Sequence, residues 1–317
     1  MFFHHKEIFM KKILSLVLVC ILLITISGCE SSGNGGSYVV SFGDGLPSYK
    51  SDVKYKEVEV TEEDKKYLIT NIYVYDDGMK LVLYRWENNG HSLEEIMKSE
   101  IKEYYPDSYN LVYTESDEWE TKGDSHYGYF MSYAPKGLNP AFDFDRTYYI
   151  QNYFFEAGDE MVEAQFWIPA TTMNLPIDGW TIDLPLGYEN GALIKTEISD
   201  DAIAKYIPSI DTEYPNINIY KWENVYDSLE DYAKNELSVQ YDMNSYKVYD
   251  YTDINGNSHN ILLSVYDEDD DGVMETNYDY TFNIGSDYIE FDFFVEKEDD
   301  YIRYAIPAIA ASIAYNK

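Results

Sequence analysis

Residues 83–105 read LYRWENNGHSLEEIMKSEIKEYY, and residues 219–241 read IYKWENVYDSLEDYAKNELSVQY. This is one phrase written twice, with Leu83 and Ile219 standing 136 positions apart. Tyr84, Trp86, Glu87, Asn88, Ser92 and Leu93 recur as Tyr220, Trp222, Glu223, Asn224, Ser228 and Leu229. Each copy opens as the end of a strand (MKLVLYRW, NINIYKW), breaks at polar residues and resumes as a helix. Ser92-Leu-Glu-Glu95 and Ser228-Leu-Glu-Asp231 fit capping boxes. In such a box the serine oxygen accepts from a free backbone N–H and the acid three residues on reaches back. The acids also suit the positive end of the helix dipole. Leu93, Ile96, Met97, Ile101 and Tyr104 fall on one apolar stripe, as do Leu229, Tyr232, Ala233, Leu237 and Tyr241. That spacing predicts one buried helix face in each copy.

The likeness runs on downstream. Asp124-Ser-His126 meets Asn257-Ser-His259, and Gly158-Asp-Glu-Met-Val-Glu163 meets Gly285-Ser-Asp-Tyr-Ile-Glu290. Between these marks lie alternating runs with turns at glycine, which read as antiparallel strands. They are YNLVYTE, HYGYFMSY, RTYYIQNYFFE and EMVEAQFWI in the first copy. In the second they are SYKVYDYT, HNILLSVY, NYDYTFNI and YIEFDFFVE. A whole domain is therefore expected to be doubled, over residues 51–172 and 173–317. Each copy reads as an antiparallel sheet with one or two packed helices, an α+β class. Tyrosine, at 34 residues, suits such half-buried strand faces better than sugar platforms. The order resembles the Mog1/PsbP-like fold in four features: an early strand WTIDLP (Trp180 to Pro185), the SLEE/SLED helix, the strand meander and a closing helix, Asp299 to Ile313. That resemblance implies binding modules or assembly factors, and no chemistry follows from the fold itself. The first copy runs from FWIPA straight into TTMNLPIDGW with no closing helix, so it is expected to lean on the second to cover its sheet.

The chain begins with a different signal. Lys11 and Lys12 precede an apolar run from Ile13 to Ile26, too short for the roughly 20 residues of a membrane span. Small residues end it, as in a cleaved secretory signal. Ile26-Ser-Gly-Cys29 resembles a bacterial lipobox, which implies cleavage before Cys29 and a diacylglyceryl thioether on its sulfur. Two acyl chains suffice for stable anchoring where one holds weakly. Residues 1–28 are thus expected to be a signal peptide. Residues 29–50, with their Ser/Gly-rich front, are expected to be a flexible tether reaching about 25 Å. Cys20 lies in the removed segment, so the mature domain contains no internal disulfide.

Lys+Arg 23 against Asp+Glu 58 gives a net charge of −35. Such an excess excludes nucleic acid as a natural partner, since phosphate recognition needs clustered Lys and Arg. Cations and basic surfaces are the counterparts it favours, beside its plain role in solubility.

The most chemical motif is DEDDDGVME. Asp267, Asp269 and Asp271 alternate before Gly272, as in the first places of a calcium loop. Glu275 stands ninth, but Tyr278 occupies the twelfth place, where a bidentate Glu belongs. The other reading is an acidic hairpin turn. His126 and His259 recur without a second His or a Cys at ligand spacing, and are read as structural. Trp86 and Trp222 are expected to close the edge of each core, with Arg85 and Lys221 pairing with acids. No nucleophile elbow, Walker loop or zinc-protease motif is present.

The expectation is a lipid-anchored protein on the extracytoplasmic face of the cell membrane, binding an envelope protein or an extracellular ligand, and not an enzyme. The alternatives are an envelope hydrolase acting on glycan or peptide, and a calcium-dependent adhesion or scaffold module. No cofactor is expected other than calcium at the acidic loop.

Overall fold

The computed structural model describes residues 38–93, 95, 96, 99, 127–134, 146–191, 202–208, 214–237, 243–267, 276–295 and 300–316. Two compact units divide these residues after Ala170.

Unit 1 contains β1 (Tyr38–Ser41), β2 (Ser48–Ser51), β3 (Tyr55–Val58), α1 (Glu62–Lys66), β4 (Ile69–Tyr75) and β5 (Lys80–Glu87). β6 (Tyr127–Ala134), β7 (Tyr148–Ala157) and β8 (Glu160–Asn174) complete it, the last four residues of β8 belonging to unit 2. Its sheet runs β3-β4-β5-β8-β7-β6, with every neighbouring pair antiparallel.

Unit 2 continues with β9 (Trp180–Pro185), β10 (Tyr188–Asn190), β11 (Ala202–Pro208) and β12 (Asn216–Glu223). Then come α2 (Leu229–Tyr232), which passes directly into a π turn (Ala233–Leu237), and the strands β13 (Met243–Thr252), β14 (Ser258–Asp267), β15 (Thr276–Ile284) and β16 (Asp287–Val295). α3 (Asp300–Ala310) and β17 (Ala314–Tyr315) close the chain. The seven-stranded sheet runs β10-β11-β12-β16-β15-β14-β13, again antiparallel throughout. The class is α+β in the coarse sense, dominated by sheet with few helices. No helix among the described residues is long and apolar enough to cross a membrane.

Without β13, the two strand orders are the same list. The segment of the first sequence copy that would match β13, YNLVYTE, lies outside the described residues. Register agrees as well as order. Glu87 stands opposite Glu160 and Glu223 opposite Asp287. The Asn88 N–H donates to the Asp159 carbonyl and the Asn224 N–H to the Ser286 carbonyl, both at 2.8 Å. Arg85 pairs with Glu160 at 3.6 Å and Lys221 with Asp287 at 2.8 Å. The hairpins β7–β8 and β15–β16 turn through Gly158 and Gly285, at φ 64° and 73°. In this region a side chain would crowd the backbone, so a glycine fits.

Both serine caps form. Ser92 Oγ accepts from the Glu95 N–H (3.2 Å) while Glu95 Oε2 accepts from the Ser92 N–H (3.0 Å). Ser228 Oγ accepts from the Asp231 N–H at 3.0 Å. Leu229, Tyr232, Ala233 and Leu237 are buried together against Leu262 and Tyr288, as the stripe predicts. The helix itself is shorter than the stripe suggests, a single α turn followed by a π turn. Trp86 and Trp222 pack at the margins of their cores, Trp86 edge-on to Phe154 and Trp222 to Tyr288.

The tether expected over 29–50 is corrected. Its residues from Tyr38 onward form β1 and β2, paired from Tyr38↔Ser51 to Ser41↔Ser48. Val40 and Phe42 are buried. Phe42 packs on Phe155 (5.5 Å between ring centres) and Tyr49 on Phe166 (4.8 Å). The Arg85 guanidinium donates to the Phe42 carbonyl. Unit 1 therefore covers one face of its own sheet with an aromatic hairpin drawn from residues read as linker. WTIDLP is a strand, β9, but it pairs with β17 (Ala314↔Thr181, Tyr315↔Trp180) and not within the seven-stranded sheet.

Candidate functional site

In a sheet, residues directly opposite on neighbouring strands share a face and lie about 4.5–5.5 Å apart. Register thus places side chains side by side that sequence holds far apart. In unit 2 one such row reads Ser264 (β14), Asp279 (β15), Asp292 (β16), Asn218 (β12) and Lys205 (β11). The next row on the same face includes Thr281 and Glu290. Ser264, Asp279 and Thr281 are wholly buried, Glu290 is 7% exposed and Asp292 8%.

Asn218 Nδ2 donates to Asp292 Oδ2 at 2.9 Å. Thr281 Oγ1 donates to Glu290 Oε2 at 3.3 Å. Ser264 Oγ has no hydrogen-bond partner among the described residues. Burial pushes the Glu290 carboxyl up, the Asp292 charge pushes it further and the Thr281 bond opposes both, so that it is raised to about 8. Like charges set opposite each other in a sheet repel. Buried carboxylates are costly unless something positive meets them.

Unit 1 holds the same positions with different chemistry. By register Asp279 corresponds to Asn152, Asp292 to Gln165 and Glu290 to Glu163. Gln165 Nε2 donates to Asn152 Oδ1 (2.9 Å) and to Glu163 Oε1 (3.3 Å). Gln165 Oε1 in turn accepts from Trp167 Nε1 (2.9 Å) and the Tyr84 hydroxyl (3.2 Å). The row continues through Val82 and Ile72, where unit 2 has Asn218 and Lys205. One sheet buries a connected amide network around a single acid; the other buries three acids.

A second polar cluster sits at the opposite face of unit 2. Asp253 Oδ1 accepts from the backbone N–H groups of Asn255 and Asn257, both at 2.9 Å. Asp253 Oδ2 accepts from the Tyr315 N–H (2.9 Å) and Asn257 Nδ2 (3.0 Å) and lies 2.9 Å from His259 Nε2. Burial raises this carboxyl, but the His259, Tyr315 and Asn257 donors together outweigh it and hold it below the usual range. The His259 ring lies among Trp180 (5.1 Å), Phe282 (5.7 Å) and Tyr251 (6.2 Å). This pair looks catalytic in isolation, yet Asp253 is spent on turn amides and on the C-terminal strand. It is a latch, and His259 is a structural histidine.

Asp267 ends β14, where its backbone pairs with Thr276. Asp269, Asp271 and Glu275, together with Cys29 and His126, lie outside the described residues. Among the described residues no group of three or more His, Cys, Asp or Glu is placed to hold a metal ion. The sequence reading singled out Glu163 and Glu290 only as alignment marks. Two positions further on, Gln165 against Asp292 was the signal that would have found the acid row.

No protein-family model matches the chain, and no curated protein does. Among solved structures it is similar to CyanoP, the cyanobacterial PsbP of Synechocystis sp. PCC 6803. Identity is 13%, coverage is 46% of this chain and 92% of that one, and the TM-score is 0.33.

Proposed function

We propose that this protein is a lipid-anchored, extracytoplasmic binding protein without catalysis, built from two copies of one α+β fold of the Mog1/PsbP-like kind. The observation that carries the reading is the contrast between equivalent positions. Asn152 and Gln165 form an amide network around the one acid Glu163 in unit 1, while Asp279 and Asp292 are two further buried acids in unit 2. A scaffold needs only the neutral version. Charges added to one copy at a cost in stability are the mark of a site in that copy. Asp253 is occupied by turn amides and the Tyr315 N–H, so the Asp253–His259 pair lends no weight to a catalytic reading. Anchoring is supported by Lys11-Lys12, the apolar run to Ile26 and the Ile-Ser-Gly-Cys29 ending.

The test joins mass spectrometry to a release assay. Protein taken from membranes should begin at Cys29 with a diacylglyceryl group on its sulfur, and Cys29→Ser should leave it in the soluble fraction. A bare thiol at Cys29 overturns the anchor. Steady turnover of glycan or peptide substrates by the purified protein overturns the non-catalytic reading.

A further inference from the structure

We propose that the acid row of unit 2 is the seat of a protonated amine, the ammonium group of a small organic ligand held between Asp279 and Asp292 with Ser264 beside them. This rests on the reading of the chain as a binding protein and names the site and the ligand class.

Three observations converge on it. The first is the exchange between copies. Equivalent strands pair in equivalent register, so the fold closes equally well on Asn152 and Gln165 as on Asp279 and Asp292. The acids answer a need that unit 1 does not have. The second is Ser264. Its hydroxyl is wholly buried, stands opposite Asp279 on the same face, and has no partner among the described residues. A buried hydroxyl of this kind calls for an explanation. A donor arriving with a ligand supplies one. The third is the shape of the acceptor set. Asp279 and Asp292 stand directly opposite each other on neighbouring strands, and among the described residues no group of three or more acids gathers on one point as a metal cage requires. An ammonium group needs only two or three acceptors about 3 Å from its nitrogen, which two neighbouring carboxylates and a serine oxygen supply.

Burial is graded along the row, which gives the site a closed end and an open one. Ser264 and Asp279 are fully enclosed, whereas Asn218 and Tyr220 on β12 are half-buried. Tyr220 stands opposite Glu290, so its ring shares the face that a cation would approach. The overall charge of −35 favours the arrival of any cation but selects none. Selection must come from the row.

Calorimetry on the full-length protein in detergent, with putrescine as the probe, tests this. Saturable binding at one putrescine per chain is expected. Asp279→Asn/Asp292→Gln, which installs the residues of unit 1, should weaken it about 30-fold or more, as loss of a buried charge partner does. Glu189→Gln/Glu223→Gln removes the same charge from exposed positions and should change affinity less than about threefold, the scale of rim charges. Ser264→Ala is the second variant. It should weaken binding about fivefold, the scale of one lost hydrogen bond, with the unfolding temperature kept. It decides the matter should the double variant fail to fold. A flat putrescine titration, equal losses in the acid-row and exposed variants, or calcium alone binding at this row overturns the proposal. A flat titration leaves the binding-protein reading standing, since that reading is tested by the state of Cys29, by turnover and by the ligand-free stability of the double variant.

Discussion

Asp253→Ala is expected to cost unit 2 about 3–5 kcal/mol, the usual loss when one partner of a buried charged cluster is removed. For a unit of this size that is a drop of roughly 10 °C or more in unfolding midpoint. The size follows from what one carboxylate does. It closes the turn between β13 and β14 through Asn255 and Asn257, holds His259, and takes the Tyr315 N–H from 62 residues away. Tyr315 in turn pairs with Trp180 on β9, so β17 and β9 both loosen. Asp253→Asn keeps the shape and loses the charge, and should fall between variant and wild type. The carboxyl titrates below its ordinary range when folded. Its contribution is therefore present above about pH 4 and lost as pH falls through the depressed folded value. Thermal unfolding followed through tryptophan fluorescence checks both points. A loss below about 1 kcal/mol would show the cluster to be ornamental.

Glu290→Gln is expected to have the opposite sign. An acid raised from its ordinary 4.5 to about 8 keeps its proton in the folded state where the unfolded chain has released it. Folding then takes up a proton, so stability falls as pH rises from about 4.5 to about 8 and levels off beyond. Glutamine has no such proton to lose and keeps the shape. The variant should match wild type near pH 4 and exceed it by roughly 2–4 kcal/mol at pH 8.5, the range found when buried charges are replaced. Burial sets most of the effect and the Asp292 charge adds to it, against the Thr281 bond; Asp279 and Lys205 stand on the same face. Urea midpoints at pH 4.5 and 8.5 measure it. An unchanged pH slope in the variant means that Glu290 is already charged in the folded protein.

Local signals were legible where short-range chemistry decides the structure. Ser92 and Ser228 announce their caps, because capping needs only residues three apart. The Gly158 and Gly285 marks locate two hairpins, and register later aligns the same residues. Other features misled. Residues 38–50 read as tether because serine and glycine surround them, although the alternating YVVSF carries Val40 and Phe42 into the core. Thr61 and Asp64 make a reciprocal capping box for α1 that passed unnoticed in an acidic stretch. Apolar spacing predicts a buried face at Leu229 to Leu237 but does not distinguish α from π hydrogen bonding. The acid row was invisible for a different reason. Among 58 acidic residues no pair stands out until register sets Asp279 opposite Asp292. The latch hid in the same way, since its decisive donor, the Tyr315 N–H, is remote in sequence and belongs to the backbone.

The central claim is that unit 2 carries buried acids for a ligand and not for its fold. The unfolding free energy of Asp279→Asn/Asp292→Gln, measured without ligand at pH 8, addresses it most directly. With the neutral residues of unit 1 installed, the protein should be as stable as wild type or more stable by about 1–4 kcal/mol, as when a buried charged group is made neutral. A loss of more than about 2 kcal/mol would mean that the two carboxylates hold the sheet together, and the account of a site would be wrong.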